Sequence, residues 1–558
     1  MILTKIGLKS AFWICFLIIN CIEFYFFRSY ISANIEYFYP SYTDQCSYLQ
    51  LSYQLFENIN KLGWFAGIKS TPSLATGFLF PIQPVFLYML FGASRFTALL
   101  FNFIYFVLLQ FFSLIAVQSI SKKVYFSFLF LAFIFAVNVP FWVAGGLMDF
   151  RIDFIAFCLY GVVLACVVKS ELFHDAKWTG ITGLIATILI LLRFITAVYL
   201  LSIFFMMIIY ILYTINTSEK YSAAYARSKV QLKHLLLLVL SLTVIVGCYI
   251  GIYSGDLYNY YWGGHFLGSE KNIRAKEVGI SGLLSRLIYY PYSVVFEQLA
   301  RFWIVIFLLS LVFPLIILKY NKLNSPVVFG KSIQWKGIAC AILLFFLVPL
   351  GILTMDPSKS PVVASIMGVP VIWCIMWYYL YLENKLTEDK RTLNILTSIA
   401  IVLFLISFTH HLTKLNAHKT NTELSDLKTI TKMYLDIGDY AQAMKWPEIH
   451  LSVDQSCDYL VHAGVKTIYY EKRGKILQLP LDGLGVSIFS VSEKEVIQKL
   501  RLSNVLILNS KPYVDFSALP FNQAMSTFRP LLKQYAALHL RHLGDYQFRG
   551  LTYQVYVK

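Results

Sequence analysis

Apolar runs long enough to cross a bilayer recur along the first 409 residues, and this recurrence constrains the fold more than any other feature. The chain is 58% hydrophobic and 14% charged, whereas soluble domains carry about 25% charged residues. So much apolar surface cannot all be buried in one aqueous core. A purely soluble enzyme, a secreted disulfide scaffold and a disordered chain are excluded. What remains is an α-helical polytopic membrane protein with room for one soluble domain.

The formal charge of +17 comes from 47 Lys and Arg against 30 Asp and Glu. The basic residues are scattered between apolar runs. That pattern fits cytoplasmic loops under the positive-inside rule and argues against nucleic acid as a partner. Seven of the nine cysteines sit in apolar runs as small hydrophobes. Only Cys46 and Cys457 fall in polar segments, where a disulfide between them is open, and no cysteine spacing suggests a metal.

Lys5 and Lys9 precede the apolar run Ala11 to Phe27, and no small-residue cleavage site follows it. It reads as an uncleaved first span with a cytoplasmic N-terminus. Residues 28 to 76 are polar enough to leave the membrane. The stretch 77 to 118 is too long for one span and breaks at Gly92-Ala93-Ser94-Arg95. Placing 78 to 91 at the interface and 96 to 118 across the bilayer puts Lys122, Lys123 and every later basic loop on one side. Pro81 and Pro84 suit such an interfacial helix.

The predicted spans are 11–27, 96–118, 124–142, 150–168, 179–192, 194–214, 235–254, 297–318, 337–354, 361–381 and 392–409, about eleven transmembrane helices. The fifth is short and ends at Arg193. Residues 1–409 then form a transmembrane domain with a large outer loop at 28–95. Residues 410–558 form a soluble extracytoplasmic α/β domain. In it Thr467 to Tyr470 and Val505 to Leu508 read as strands, and Glu493 to Leu500 and Pro530 to Leu540 as helices.

Candidate chemistry lies on the side away from the basic loops. Asp44 opens a helical pattern continued by Tyr48, Leu51 and Leu55, and its plainer reading is a helix cap. Asp149 and Asp153 are spaced to share one helix face, with Arg151 pointing elsewhere. Carboxylates at a membrane boundary are solvated, paired or functional. Arg95, Arg193 and Lys359 stand out because positive charge is depleted there. They suit either a phosphate or snorkelling to headgroups. The segment Gly255 to Tyr292 reads as an aromatic loop with Tyr258, Tyr260, Tyr261, Trp262 and His265, fit for an interfacial belt or for covering a lipid or sugar. Guanidinium groups that hold a phosphate leaving group, with a carboxylate that takes a hydroxyl proton, are what a lipid-phosphate sugar donor requires.

The order of these elements resembles the GT-C superfamily of polyprenyl-phosphate-sugar glycosyltransferases, in its protein O-mannosyltransferase and aminoarabinose-transferase branch. Thr43-Asp44-Gln45 with Tyr48 resembles the acidic motif of the first outer loop, although Gln45 departs from the acidic pair often found there. Pro81-Ile82-Gln83-Pro84 through Arg95 resembles the juxtamembrane helix before the second span. Asp149 to Asp153 takes the place of the second acidic site. Gly180 to Arg193 resembles the Gly-rich short span with its basic end, and Lys359-Ser360-Pro361 to Pro370 the late loop.

The resemblance implies a hexosyl- or pentosyltransferase that moves a sugar from a polyprenyl-phosphate donor to a lipid, glycan or protein acceptor, with inversion. It implies Asp44 as general base and Asp153 or Asp149 as the group that orients the acceptor or binds a divalent cation. Arg95, Arg193 and Lys359 would contact phosphate, with Tyr48 and His265 beside the substrate. Family members differ in metal dependence, so no cofactor is assigned. The expected setting is a bacterial inner membrane and its cell envelope, with the C-terminal domain outside. The alternative is a transporter or flippase of lipid-linked glycans. It would place charges deep in several spans, where Glu23 and Glu297 are the clearest here. A non-catalytic scaffold is the third reading.

Overall fold

The computed structural model describes residues 8–34, 43–70, 76–121, 123–142, 145–268, 275, 278–280, 282–320, 335–383, 390–417, 424–454, 460, 462–477, 492–511, 520–548 and 550–558. Its helices are α1 Leu8–Asn34, α2 Thr43–Leu62, α3 Trp64–Lys69, α4 Leu79–Phe91, α5 Arg95–Ile120, α6 Val124–Ala136, α7 Ile152–Lys169, α8 Ala176–Leu192, α9 Thr196–Thr217 and α10 Ala223–Leu257. They continue as α11 Leu283–Tyr292, α12 Ala300–Ser310, α13 Val312–Tyr320, α14 Trp335–Met355, α15 Gly368–Glu383, α16 Lys390–Ala417, α17 Leu424–Ala443, α18 His462–Arg473, α19 Glu493–Leu502 and α20 Pro520–His539.

Among the described residues, ten helical stretches are long and apolar enough to cross a membrane, from Ser10–Ser32 to Thr392–Asn416. They fall on the ten long spans expected from hydropathy. The eleventh, 179–192, is α8, which belongs with α4 among the shorter apolar helices. The segment from Gly255, expected as a loop, instead extends α10 through a π-helical turn, Tyr258–Leu267. A kink at Tyr253 (φ −115°, ψ 22°) is passed without ending the helix, despite Gly255 and Asp256.

The helix α7 is the post around which the others pack, with 94% of its apolar window buried against protein. Gly161 makes this possible on one side, since a Cβ there would meet Leu109 Cδ1 at 2.5 Å. Tyr160 donates to the Phe345 carbonyl at 2.8 Å and ties α7 to α14. The helices α1 and α16 are joined by Glu23 and His411, both wholly buried, 2.8 Å apart. Polar groups this deep persist only when they are hydrogen-bonded.

Beyond α16 a four-stranded sheet forms in the order β1-β2-β4-β3, from β1 Leu451–Val453, β2 Val505–Asn509, β3 Arg541–Phe548 and β4 Leu551–Val557. The β1/β2 pair is parallel and the others antiparallel. Every residue of β2 is buried. Strand alternation explains this. Val505 and Ile507 face Leu427, Ile430 and Tyr434 of α17, while Leu506 and Leu508 face Val496 of α19 and Leu532 of α20. The expected strand Val505 to Leu508 and the two expected helices are present.

Thr467 to Tyr470, expected as a strand, lies inside α18. Packing overrides its β-branched and aromatic composition. Thr467 Oγ1 donates to the Ala463 carbonyl at 2.7 Å, a helical i–4 contact, and Tyr469 packs where any side chain on Gly438 would collide with it at 2.2 Å. This helix lies on α2. Tyr470 stacks on Tyr53 with centroids 4.8 Å apart. Arg95 grips Glu471 with two nitrogens at 2.7–2.9 Å, and Tyr53 donates to the same carboxylate at 2.8 Å. Cys46 is buried in this core; Cys457, its candidate partner, lies outside the described residues.

Candidate active site

At the end of the bundle beneath this interface is a cavity of about 200 Å³. Asp44 and Tyr48 of α2, Arg151 and Asp153 at the start of α7, Arg193 after α8, Tyr199 of α9 and Tyr260 and Tyr261 of the π-helical turn line it, with Asp356, Ser358 and Ser360 beyond α14. Residues from six separate segments of the sequence thus converge.

Each side chain is placed by its own local structure. Asp44 lies in the first turn of α2. That helix is seated by Tyr48 against Phe80 (4.9 Å between centroids), which stacks on Phe150 at 4.7 Å. Gln45 is buried, and its Oε1 accepts from the Phe150 N–H at 3.2 Å. The residue that departs from the acidic pattern therefore clamps α2 to the second acidic segment. Asn102 of α5 holds that segment from behind, donating to the carbonyls of Leu147 and Asp149 at 3.1 and 2.9 Å. Gly145 has φ +95°, and a Cβ there would meet Val362 at 2.8 Å, so only glycine fits this turn.

Asp149 and Asp153 do not share a helix face. The helix α7 starts at Ile152, with Arg151 in extended conformation (φ −130°, ψ 157°) as its cap residue, and Asp149 lies in the preceding turn. The extended cap swings Arg151 into the site rather than away from it. Arg151 pairs with Asp44 Oδ2, and its Nε lies 4.0 Å from both Asp149 Oδ2 and Asp153 Oδ2. Three carboxylates thus surround one guanidinium. The Asp-x-Arg-x-Asp spacing after Gly145-Gly146 is the available signal, hidden when α7 is drawn back three residues to include Asp149.

Arg193 pairs with Asp153 Oδ1. It follows the last turn of α8, and its turn is fastened by the Phe194 N–H bonded to the Thr76 carbonyl at 2.7 Å. A Cβ on Gly77 would lie 2.1 Å from the Leu192 carbonyl oxygen. Phe194 also stacks on Tyr249 at 4.7 Å.

Two expected phosphate contacts lie elsewhere. Arg95 is buried against Glu471 and does not line the cavity. Lys359 is buried and folds back on α14, donating to the Leu353 and Thr354 carbonyls at 2.6 and 2.8 Å. Burial lowers its pKa to about 8. The His265 side chain lies outside the described residues.

The carboxylates differ in exposure. The Asp44 side chain is 57% exposed, Asp149 4% and Asp153 5%. Burial pushes Asp149 up to about 7, against the lowering effects of Arg151 and of the Gly145 N–H 2.6 Å away. Burial, and then the Asp44 charge, raise the Tyr48 phenol. The folded value of Asp149 lies above its ordinary 3.8. Its protonation therefore favours the folded chain, fully below about pH 4, and that contribution is lost as pH rises through 7. Asp149→Asn removes it. The melting temperature of the parent is expected to fall relative to that of Asp149→Asn between pH 5 and pH 8.

Among the described residues no group of three or more His, Cys, Asp or Glu is arranged to hold a metal ion. The positive charge between the carboxylates is Arg151 itself. Arg151 thus holds the place among the three carboxylates that a divalent cation would need.

No protein-family profile matches the chain, and no curated protein does. Solved structures do. ArnT from Cupriavidus metallidurans in the apo state superposes with a TM-score of 0.54 at 12% identity, over 98% of this chain and 98% of that one. The same protein bound to undecaprenyl phosphate gives 0.51 at 11% identity, over 99% and 98%. The likeness runs from the first helix through the C-terminal sheet. At this identity it establishes a shared, ArnT-like fold.

Proposed function

We propose that this chain is a membrane glycosyltransferase that moves a sugar from a polyprenyl-phosphate donor to an acceptor hydroxyl, with inversion. The observation that carries the reading is the cavity in which an exposed carboxylate, Asp44, faces two guanidinium groups, Arg151 and Arg193. The shared fold supports it, since ArnT has been solved with undecaprenyl phosphate bound.

In this reading the acceptor oxygen attacks the anomeric carbon as the carbon–oxygen bond to phosphate breaks. The bonding pair leaves with the phosphate oxygen, where Arg193 stabilises the developing charge. Asp44, open to the acceptor, takes the hydroxyl proton. Asp153 positions Arg193, and Arg151 holds Asp44 toward the cavity. Tyr260 and Tyr261 give the sugar an apolar face. The reaction lies on the extracytoplasmic side, with residues 410–558 forming a domain over it and the basic loops in the cytoplasm. A bacterial inner membrane is the setting in which such donors serve the cell envelope.

The test is donor dependence of transfer in Arg193 variants. Arg193→Ala is expected to lose about 10²–10³-fold in turnover, the usual cost of removing one preorganised charge-stabilising donor. Arg193→Lys keeps the charge but not the two-pronged geometry and should lose less. Unchanged donor dependence in both variants overturns the assignment of Arg193 to phosphate.

A further inference from the structure

A second cavity, of about 720 Å³, lies at the opposite end of the same helices, enclosed by α9, α10, α14 and α15. On α9 the two cavities are marked by Tyr199 and Thr214, roughly 22 Å apart at 1.5 Å per residue. Nothing in the sugar-transfer chemistry uses it, and the inference below does not rest on that reading.

Its walls are aromatic. Trp335 packs against Trp377 at 4.6 Å and Tyr381 at 5.7 Å between centroids. Its volume falls within the roughly 300–1,000 Å³ of ordinary ligand pockets. Two features make it more than an apolar gap. Ser228 lines the cavity and is 1% exposed, and its Oγ has no hydrogen-bond partner among the described residues. A buried hydroxyl left unpaired is costly unless a ligand supplies the partner. The rim is also cationic. Lys336 lines the mouth, while Lys229 and Lys233 are exposed on the adjoining turns of α10, outside the cavity lining. Within α10 no acidic residue precedes Asp256. Tryptophan and tyrosine at such a mouth sit at the depth of lipid headgroups.

We infer that this cavity binds one anionic phospholipid. Its acyl chain lies between the Trp335–Trp377 pair and Leu343, and its phosphate accepts hydrogen bonds from Ser228 Oγ and Lys336 Nζ. The position, cationic rim and unpaired hydroxyl all call for an anion attached to an apolar chain. A neutral lipid leaves the charge unanswered, and a free anion leaves the walls empty.

Native mass spectrometry of the full chain, released from detergent containing equal phosphatidylglycerol and phosphatidylcholine of the same acyl chains, tests this. The parent is expected to retain phosphatidylglycerol in preference. Lys336→Glu should lower that retention without lowering phosphatidylcholine retention. Ala339→Trp, which fills the cavity, should lower phosphatidylglycerol retention about tenfold, a difference of about 1.4 kcal/mol. Quenching by bromine-labelled phosphatidylglycerol, compared between the parent and Trp335→Phe, reads the same site without filling it, and the variant should lose a fast-quenched component. Equal retention of the two lipids by the parent overturns the proposal, as does undiminished phosphatidylglycerol on folded Ala339→Trp. So does displacement of phosphatidylglycerol by undecaprenyl phosphate at lower concentration, which would make the cavity part of the donor path.

Discussion

Purified Asp44→Asn is expected to transfer sugar about 10²–10⁴-fold more slowly than the parent chain, the range that general-base catalysis supplies. Asparagine keeps the size of the side chain and much of its capping ability but cannot accept the acceptor's proton. Asp44 is the one carboxylate of the three around Arg151 that is open: its side chain is 57% exposed, against 4% and 5% for Asp149 and Asp153. An acceptor arriving from solvent meets Asp44 first. The substitution also leaves Arg151 with Asp149 and Asp153 4.0 Å away, so the local charge remains compensated and folding should change little. Asp44→Ala loses helix capping as well, so Asn is the discriminating variant. Transfer by Asp44→Asn at the parental rate would reduce Asp44 to a partner of Arg151 and remove the central residue of the proposed mechanism.

Glu471→Ala should cost stability rather than chemistry, by about 3–5 kcal/mol. Its carboxylate takes both forks of Arg95, whose side chain is 3% exposed, and also the Tyr53 hydroxyl. Removing it strands a buried guanidinium, and that desolvation without compensation sets the size of the effect. Replacing both partners together, Arg95→Met with Glu471→Leu, should recover most of the loss, because two apolar groups leave no orphaned charge. Chemical denaturation in detergent micelles measures all three variants. If Glu471→Ala melts like the parent, the clasp is a surface ion pair of little weight. If the double variant remains as unstable as the single one, the ion pair stabilises the interface beyond mere compensation.

The bundle was legible in the sequence because a spanning helix must show roughly 20 apolar residues in a row, and ten stretches do. The convergence of Asp44, Asp153 and Arg193 was legible in part, because Asp44 falls in the outer loop and the other two at the outer ends of their apolar helices. Their partners were not. Arg95 and Lys359 looked like spare cations on a face where positive charge is scarce. One finds its counterion 376 residues away on α18, and the other turns back onto the carbonyls that end its preceding helix. No local pattern reports either pairing. Arg151 was misplaced by assuming that helical spacing continued through a residue whose backbone is extended. Thr467 to Tyr470 misled for the opposite reason: their local preference is real, and contact with α2 and α17 overrides it.

The enclosure of α7 bears on how the protein responds to its membrane. Thinning or thickening a bilayer acts on helices that touch acyl chains, through tilt and mismatch. The stretch Ala223–Gly264 is one of these, with only 28% of its apolar window buried, whereas α7 stands behind its neighbours at 94%. Asp153 rides on α7, so lateral strain in the membrane is absorbed by the peripheral helices before it reaches that carboxylate. Tyr260 and Tyr261, at the far end of Ala223–Gly264, lie on the compliant wall. A shift in bilayer thickness therefore deforms one side of the cavity while the other holds still, and the tyrosine wall is the part of the site through which membrane mechanics would be felt.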